Sequence, residues 1–305
     1  MIYTFTLNPA IDYFLTIRNE LMVDEVNRGT DAIYKAGGKG LNVSKVLSLL
    51  DVPSKAVALL GGFTGDFIRK ETEKDENIEV IAVEVEGVNR INMKAHYDQK
   101  ALCINGDGPI VSKKNIEELY RIASRLDEED IAMFNGSMMK GLDDDFLIAF
   151  CDRVHASKAK LVIDMESLTP DLLRRCRPDL IKPNLYELRL LMDDPLITMD
   201  NAKEALRKLR EEGIGKILLS LGKDGALLAD EEGFLYLCQP DEVLINKVGA
   251  GDAMLAGFIG KYSQSRNREL ALRYAGACGN AVASRLEDIT KETIDQYLPL
   301  MSVRY

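Results

Sequence analysis

The sequence predicts an α/β protein: a doubly wound, mostly parallel sheet flanked by helices, with a small second β-sheet. From about residue 40 to the C-terminus, short apolar runs typical of buried parallel strands alternate with helical patterns. Such alternation indicates parallel strands joined by crossover helices. The rhythm breaks at residues 10–35 and again at 78–104, where strand-like runs at 78–85 and 91–102 have no helix between them. These runs predict a small separate sheet.

The elements follow in chain order. The clearest strands are predicted at residues 56–60, 131–134, 161–164, 179–182 and 216–221. Helices are predicted at residues 41–50, 143–154, 168–175, 184–192, 202–212 and 252–262. Gly233 lies between strand-like runs at 226–230 and 234–238 and predicts a hairpin in the main sheet. No linker-like tract is present in the sequence, so we expect one domain over residues 1–305, with inserted segments at about 10–35 and 88–104.

Charge and hydropathy exclude several classes of function. The chain of 305 residues has a formal net charge of −10. Binding to nucleic acid or to anionic membrane surfaces needs a basic field, so neither partner is expected. No run approaches the ~18 apolar residues of a spanning helix, and no signal-like start is present, which predicts a cytoplasmic protein.

A glycine-rich turn at residues 246–258 leads directly into an apolar helix. Its glycines allow backbone N–H groups to point toward one position, where the helix N-terminus adds about half a positive charge. Gly249, Ala250 and Gly251 therefore predict an anion-binding site, and Asp252 beside it is suited to accept a hydroxyl proton. The alternative is that Asp252 merely caps the helix after a flexible turn.

A second glycine-rich segment, residues 36–44, precedes another helix and adds a cation and an amide. Lys39 is suited to an anion and Asn42 to a sugar hydroxyl. The segment lacks the G-x-x-x-x-G-K-[ST] spacing of a P-loop and the G-x-G-x-x-G spacing of a dinucleotide site. Both a P-loop NTPase and a dinucleotide-dependent oxidoreductase are therefore disfavoured.

Taken in order, the motifs resemble the ribokinase (PfkB) family of carbohydrate kinases, and specifically its 1-phosphofructokinase and tagatose-6-phosphate kinase branch. The resemblance covers nearly the whole chain. It rests on the opening T-L-N-P-A-I-D at residues 6–12 and on the segments 26–28, 37–42, 90–94, 136–137, 182–187, 220–225 and 249–252.

This resemblance implies a magnesium- and ATP-dependent kinase and assigns a role to each candidate residue. Asp252 would be the catalytic base, with an anion hole made by Gly249, Ala250 and Gly251. Magnesium would be organised, partly through water, by Asn184 and Glu187, although helix capping is the local alternative for Asn184. The ATP side would comprise Lys182, Asn184, Ser220, Gly222, Gly225, Gly249 and Gly251. The sugar side would comprise Asp12, Gly38, Lys39, Asn42 and Arg90.

The resemblance further implies that the small sheet is a lid over the sugar, through which a homodimer could form. The expected reaction is phosphorylation of a ketohexose monophosphate, with fructose 1-phosphate favoured over tagatose 6-phosphate. A non-catalytic sugar-phosphate-binding regulator is the alternative from another class. Three segments depart from the branch: Met138-Met139, Asp164-Met165-Glu166-Ser167 and residues 285–288. Glu166 places an additional carboxylate near the expected cleft.

Overall fold

The computed structural model describes residues 1–17, 21–22, 24–97, 100–240, 245, 248–285 and 287–305. Within these ranges, no helix is both long enough and apolar enough to cross a membrane. The strands are β1 (Ile2–Thr6), β2 (Ala10–Ile17), β3 (Gly29–Gly37), β4 (Ser54–Leu60), β5 (Ile78–Glu84), β6 (Arg90–Tyr97), β7 (Lys100–Asn105), β8 (Ile131–Asn135), β9 (Lys160–Asp164), β10 (Leu180–Ile181), β11 (Lys216–Ser220), β12 (Ala226–Asp230), β13 (Gly233–Cys238) and β14 (Ser302–Arg304).

The α-helices of the same described ranges are α1 (Lys39–Leu49), α2 (Gly62–Thr72), α3 (Lys113–Ala123), α4 (Asp144–Ala156), α5 (Pro170–Cys176), α6 (Leu185–Met192), α7 (Ala202–Glu211), α8 (Ala250–Ser265), α9 (Arg268–Ala283) and α10 (Lys291–Tyr297).

The main sheet has the strand order β14-β13-β12-β11-β10-β9-β8-β1-β4-β5 in the part of the chain that the structure describes. The strands from β5 to β11 in this order are parallel, and β12, β13 and β14 are antiparallel additions at one edge. The order runs in both directions from β1, so the doubly wound topology is confirmed, as is the hairpin at Gly233.

Helices cover both faces of this sheet. Leu161 and Ile163 of β9 pack in the cluster that contains the apolar sides of α3 to α7. Val162, between them, packs in the opposite cluster with α1, α8, α9 and α10. Burial on both faces is why the predicted strands are continuous apolar runs rather than alternating ones.

The predicted strands and helices are all present, with bounds that differ by a few residues, but one assignment was wrong. The run at 78–85 is not part of the small sheet: it forms β5, which pairs in parallel with β4 at the edge of the main sheet. The crossover between them is α2, which the sequence did not predict. Its buried positions include Thr64 and Gly65, so the helix has little apolar periodicity.

The small sheet has the order β3-β2-β6-β7. Segments 10–35 and 88–104 supply it, apart from residues 18–20, 23 and 98–99, which lie outside the described residues. β2 follows the carboxyl end of β1 and β3 leads directly into α1. The chain therefore enters and leaves this sheet at the carboxyl edge of the main sheet.

Candidate active site

The candidate site lies where strand ends and helix starts meet. Thr6, Asn135 and Asp164 end the neighbouring strands β1, β8 and β9 and are paired in register. In open α/β sheets, this carboxyl edge is where ligands bind.

Asp252 lies in the first turn of α8 and is 7% exposed. The N-cap is Gly249, whose φ of 81° lies in the left-handed region that favours glycine, so the interpretation of Asp252 as the cap residue was wrong. Asn42 Nδ2 donates a 2.9 Å hydrogen bond to Asp252 Oδ2. Burial, with the nearby charge of Asp164, raises the pKa of Asp252 to about 6, although Asn42, Lys182 and Lys39 act in the opposite direction.

Asp164 is a site residue that the sequence reasoning missed. It ends β9 with a 2% exposed side chain and lies 3.5 Å from Lys182 Nζ and 3.8 Å from Lys39 Nζ. Lys182 Nζ would lie 3.1 Å from a Cβ at Gly251, so this ammonium group is beside the glycine-rich turn. A carboxylate at the end of a buried parallel strand was the signal that could have identified Asp164.

Lys39 begins α1 directly after its N-cap, Gly38. Its Nζ lies 3.3 Å from Glu166 Oε1 in addition to its contact with Asp164. Burial opposes its charge, but the carboxylates of Asp164, Asp252 and Glu166 outweigh that effect and raise the pKa of Lys39. Glu166, the departure noted in the sequence, does place a carboxylate in the cleft.

Asp12 and Arg90 lie on the small sheet. Asn92 Nδ2 and Lys94 Nζ donate to the two carboxylate oxygens of Asp12 at 2.9 and 2.8 Å. Arg90 Nη2 donates to the Asn8 carbonyl at 3.0 Å, while its buried Nε has no partner among the described residues. Asn92 and Lys94 received no role from the sequence, although both belong to the segment that carried the resemblance.

Asn184 and Glu187 form a capping box at the start of α6. The Glu187 N–H donates to Asn184 Oδ1 at 2.9 Å, and the Asn184 N–H donates to Glu187 Oε2 at 2.8 Å. The capping role considered for Asn184 is therefore confirmed as a local role. Burial raises the pKa of Glu187, against the influence of that backbone hydrogen bond and of Lys182.

The loop after β11 lies beside this capping box, since Asn184 forms a parallel bridge with Ser220. A Cβ at Gly225 would overlap the Leu237 carbonyl oxygen, so the tight return into β12 requires glycine there. At Gly222 a Cβ would meet nothing within 4 Å. Gln239 Nε2 donates to the Gly222 carbonyl at 2.8 Å and holds the loop against β13.

Residues 6–294 match the model of the pfkB family carbohydrate kinases. The chain belongs to this family. It is 34% identical over 303 residues to 1-phosphofructokinase of Bacillus subtilis, covering 99% of both chains. It is 34% identical over 297 residues to D-tagatose-1-phosphate kinase of Bacillus licheniformis, covering 95% of this chain and 96% of that one. Phosphofructokinase-2 of Escherichia coli has the same fold, with a TM-score of 0.89, 23% identity and 98% of each chain covered.

In this carbohydrate kinase, the predicted residues form three groups around the carboxyl edge. Lys39 and Lys182 contact Asp164, the charge of Asp164 acts on Asp252, and Asn42 donates to Asp252. Asn184, Glu187, Ser220, Gly222 and Gly225 lie together at the ends of β10 and β11. Asp12 and Arg90 lie on the small sheet, and no described hydrogen bond or ion pair joins either of them to Asp252. Positions 246–247 of the glycine-rich segment and 286 of the third departure lie outside the described residues.

Proposed function

We propose that this kinase transfers the γ-phosphoryl group of ATP to a hydroxyl of a ketohexose monophosphate, with fructose 1-phosphate as the leading substrate and fructose 1,6-bisphosphate as the product. The observation that carries the proposal is Asp252. This buried carboxylate lies in the first turn of α8, beside the Lys182 ammonium group, and is oriented by Asn42.

The names of the relatives support a ketose 1-phosphate. The two relatives at 34% identity are named for fructose 1-phosphate and tagatose 1-phosphate chemistry, whereas a tagatose-6-phosphate kinase of Staphylococcus epidermidis is 29% identical over 312 residues. Fructose and tagatose differ only in the configuration of one hydroxyl-bearing carbon. Tagatose 6-phosphate remains the second candidate.

In the proposed reaction, the acceptor hydroxyl attacks the γ-phosphorus, Asp252 accepts the hydroxyl proton, and ADP leaves. The first N–H groups of α8 and the Lys182 ammonium group would stabilise the charge on the transferred phosphoryl oxygens. Asn42 would hold one oxygen of Asp252, leaving the other to face the acceptor. Ser220, Gly222 and Gly225 would line the nucleotide, Gly222 with open space beside it.

Magnesium would neutralise charge on the ATP phosphates. The donor set suits a hydrated ion: carboxylates of Asp164 and Glu187 face the Lys182 region, and Mg²⁺ commonly keeps several waters and binds through few carboxylates. In the described residues, no group of three or more His, Cys, Asp or Glu side chains could hold a metal by itself. Glu187 and Asn184 would therefore act largely through water molecules.

The small sheet would act as a lid. Asp12, Arg90, Asn92 and Lys94 are joined by cross-strand pairing and short contacts on one face, where they can meet the sugar phosphate. A closed lid would exclude water, which competes with the sugar hydroxyl for the phosphoryl group. The opposite face of the small sheet would support a homodimer.

An ADP-release assay tests the proposal with fructose 1-phosphate, tagatose 1-phosphate, tagatose 6-phosphate and free fructose, each with MgATP. We expect turnover of the phosphorylated ketoses, greatest for fructose 1-phosphate, and little with free fructose. Absence of ATP-dependent turnover with every ketose phosphate, together with measurable binding of one of them, would instead support a non-catalytic regulator. The intact set of Asp252, Asn42 and Lys182 favours catalysis.

A further inference from the structure

Lys39 contacts two carboxylates of unequal exposure. Asp164 lies at the end of β9 with a 2% exposed side chain, 3.8 Å from Lys39 Nζ. Glu166 lies two residues later, in the loop before α5, with a 77% exposed side chain, and its Oε1 is 3.3 Å from the same atom. Asp164 also contacts Lys182, so it is held from two sides. Of these two carboxylates, the exposed Glu166 can separate from Lys39 at little cost in free energy.

The Lys39 side chain is 26% exposed, so a ligand in the cleft can reach its ammonium group. Glu166 also lines the cavity that Asp164, Lys182 and Glu187 border. The ion pair that Lys39 forms with Glu166 is therefore open to solvent, and an anion in the cleft can compete with this carboxylate for the ammonium group.

While Glu166 remains beside Lys39, the negative charge of this part of the cleft opposes binding of a phosphate group. Among the described residues, four carboxylates lie in this part of the cleft with two ammonium groups: Asp164, Glu166, Glu187 and Asp252 with Lys39 and Lys182. A phosphate group brings two further negative charges. Repulsion between the phosphate and a neighbouring carboxylate raises the free energy of binding unless that carboxylate moves away.

We propose that Glu166 is a specificity-determining residue that occupies Lys39 as an internal counter-ion and is displaced when a phosphate group of the substrate binds. This inference rests on the proposed function, because it assigns Lys39 to a phosphorylated ligand. Glu166 thereby weakens phosphate binding and makes occupancy of Lys39 conditional on a dianionic group. A weakly anionic or neutral ligand would leave the Glu166–Lys39 pair intact.

The first test measures steady-state kinetics of Glu166→Gln with fructose 1-phosphate at saturating MgATP. We expect KM for the ketose phosphate to fall about two- to fivefold, the range for an exposed ion pair, with kcat and KM for MgATP unchanged. Glu128→Gln is the matched control, because Glu128 is exposed and precedes β8 at the opposite edge of the sheet. An unchanged or increased KM in Glu166→Gln overturns the proposal.

A second test does not depend on which sugar is the substrate. The rate of Lys39 acylation by acetic anhydride, followed by peptide mass spectrometry, is measured in increasing inorganic phosphate. We expect Glu166→Gln to reach half-protection at about two- to fivefold lower phosphate than the wild type or Glu128→Gln. Equal half-protection overturns the counter-ion role. If this shift is found but no ketose phosphate is turned over, the proposed function fails and the counter-ion role stands.

Discussion

At the scale of single residues, the proposed catalytic base is Asp252. We expect Asp252→Asn to lower kcat by about two to four orders of magnitude, the usual range for loss of a positioned general base. The asparagine is nearly isosteric and can still accept the hydrogen bond from Asn42 Nδ2, so folding and ATP binding should persist. Single-turnover assays and nucleotide titrations of the purified variant measure both. Turnover close to wild type would exclude Asp252 as the base.

The raised pKa of Asp252 predicts a pH dependence. The base must be ionised, so kcat/KM should rise with pH and level off above the apparent pKa, which is about 6 in the structure. Asp164 contributes to this raised pKa through its negative charge. Asp164→Asn removes that charge, so the acid limb of the profile should move to lower pH even though kcat itself falls.

The control for the pH profile is Asp66→Asn, which removes an exposed carboxylate from α2. Its acid limb should coincide with that of the wild type. An acid limb that stays in place in Asp164→Asn would show that the charge of Asp164 does not set the pKa of Asp252.

At the scale of elements, the strands were more predictable than the contacts between them. The apolar run that became β9 follows from burial on both faces of the sheet, a property of the local sequence. The helix α2 was missed because Gly62, Thr64 and Gly65 give it a weak apolar pattern. The run at residues 78–85 was misplaced for the same reason, since without α2 nothing showed the crossover that carries it into the main sheet.

Without the resemblance, the candidate site could be predicted only where its chemistry lies within one short stretch of sequence. The glycine-rich start of α8 and the N-x-x-E segment of α6 are local features. The contacts of Asp164 with Lys39 and Lys182 join three separate segments. The spacing of these residues in the sequence does not predict the contacts. Such convergence depends on strand order, which local patterns do not specify.

The element α6 provides a test of magnesium binding. Glu187→Gln should raise the magnesium concentration for half-maximal rate by about tenfold, the lower end for losing an outer-sphere partner, with KM for the ketose phosphate little changed. A glutamine oxygen can still accept from the Asn184 N–H, so the capping box and the helix should remain. Glu211→Gln, at an exposed position of α7, is the control. A magnesium titration identical to that of Glu211→Gln would limit Glu187 to helix capping.

The small sheet provides a test of phosphate recognition. We expect Arg90→Ala to lower the apparent affinity for fructose 1-phosphate about ten- to a hundredfold, since a charged hydrogen bond contributes about 1.5–3 kcal/mol. Arg90→Lys keeps the charge but not the planar guanidinium group, so its affinity for fructose 1-phosphate should lie between those of the wild type and Arg90→Ala. Free fructose has no phosphate group, so the low activity of the wild type with free fructose should fall little further in Arg90→Ala. An unchanged kcat/KM for the ketose phosphate in Arg90→Ala would remove this arginine from phosphate binding.

At the scale of the whole molecule, the net charge of −10 makes the location of the cations important for binding anionic ligands. A chain this acidic repels a sugar phosphate and ATP over most of its surface, so binding requires cations concentrated at one place. Lys39 and Lys182 lie on the main sheet side, while Arg90 and Lys94 lie on the small sheet. Anionic substrates would therefore draw the two sheets together.

The small sheet also presents an apolar face away from Asp12 and Arg90. Cross-strand pairing aligns Tyr34, Tyr13, Met93 and Ile104 in one row, and the rings of Tyr13 and Tyr34 stack at 4.6 Å. Tyr34 and Ile104 remain 54% and 51% exposed. Aligned exposed apolar side chains of this kind are typical of protein interfaces, and a second copy of the chain that offers the same face is the partner we propose.

The oligomeric state in solution tests whether the apolar face of the small sheet forms a dimer interface. Light scattering coupled to size exclusion should give the wild type a mass of two 34.0 kDa chains. Ile104→Asp should shift this mass toward one chain, because an isologous interface would bury the new carboxylate twice. Ile110→Asp, at a 70% exposed position outside the small sheet, is the matched control and should remain dimeric. A monomeric wild type would contradict the proposed dimer, and a dimer that persists in Ile104→Asp would place its interface elsewhere. Neither result would affect the proposed role of Asp252.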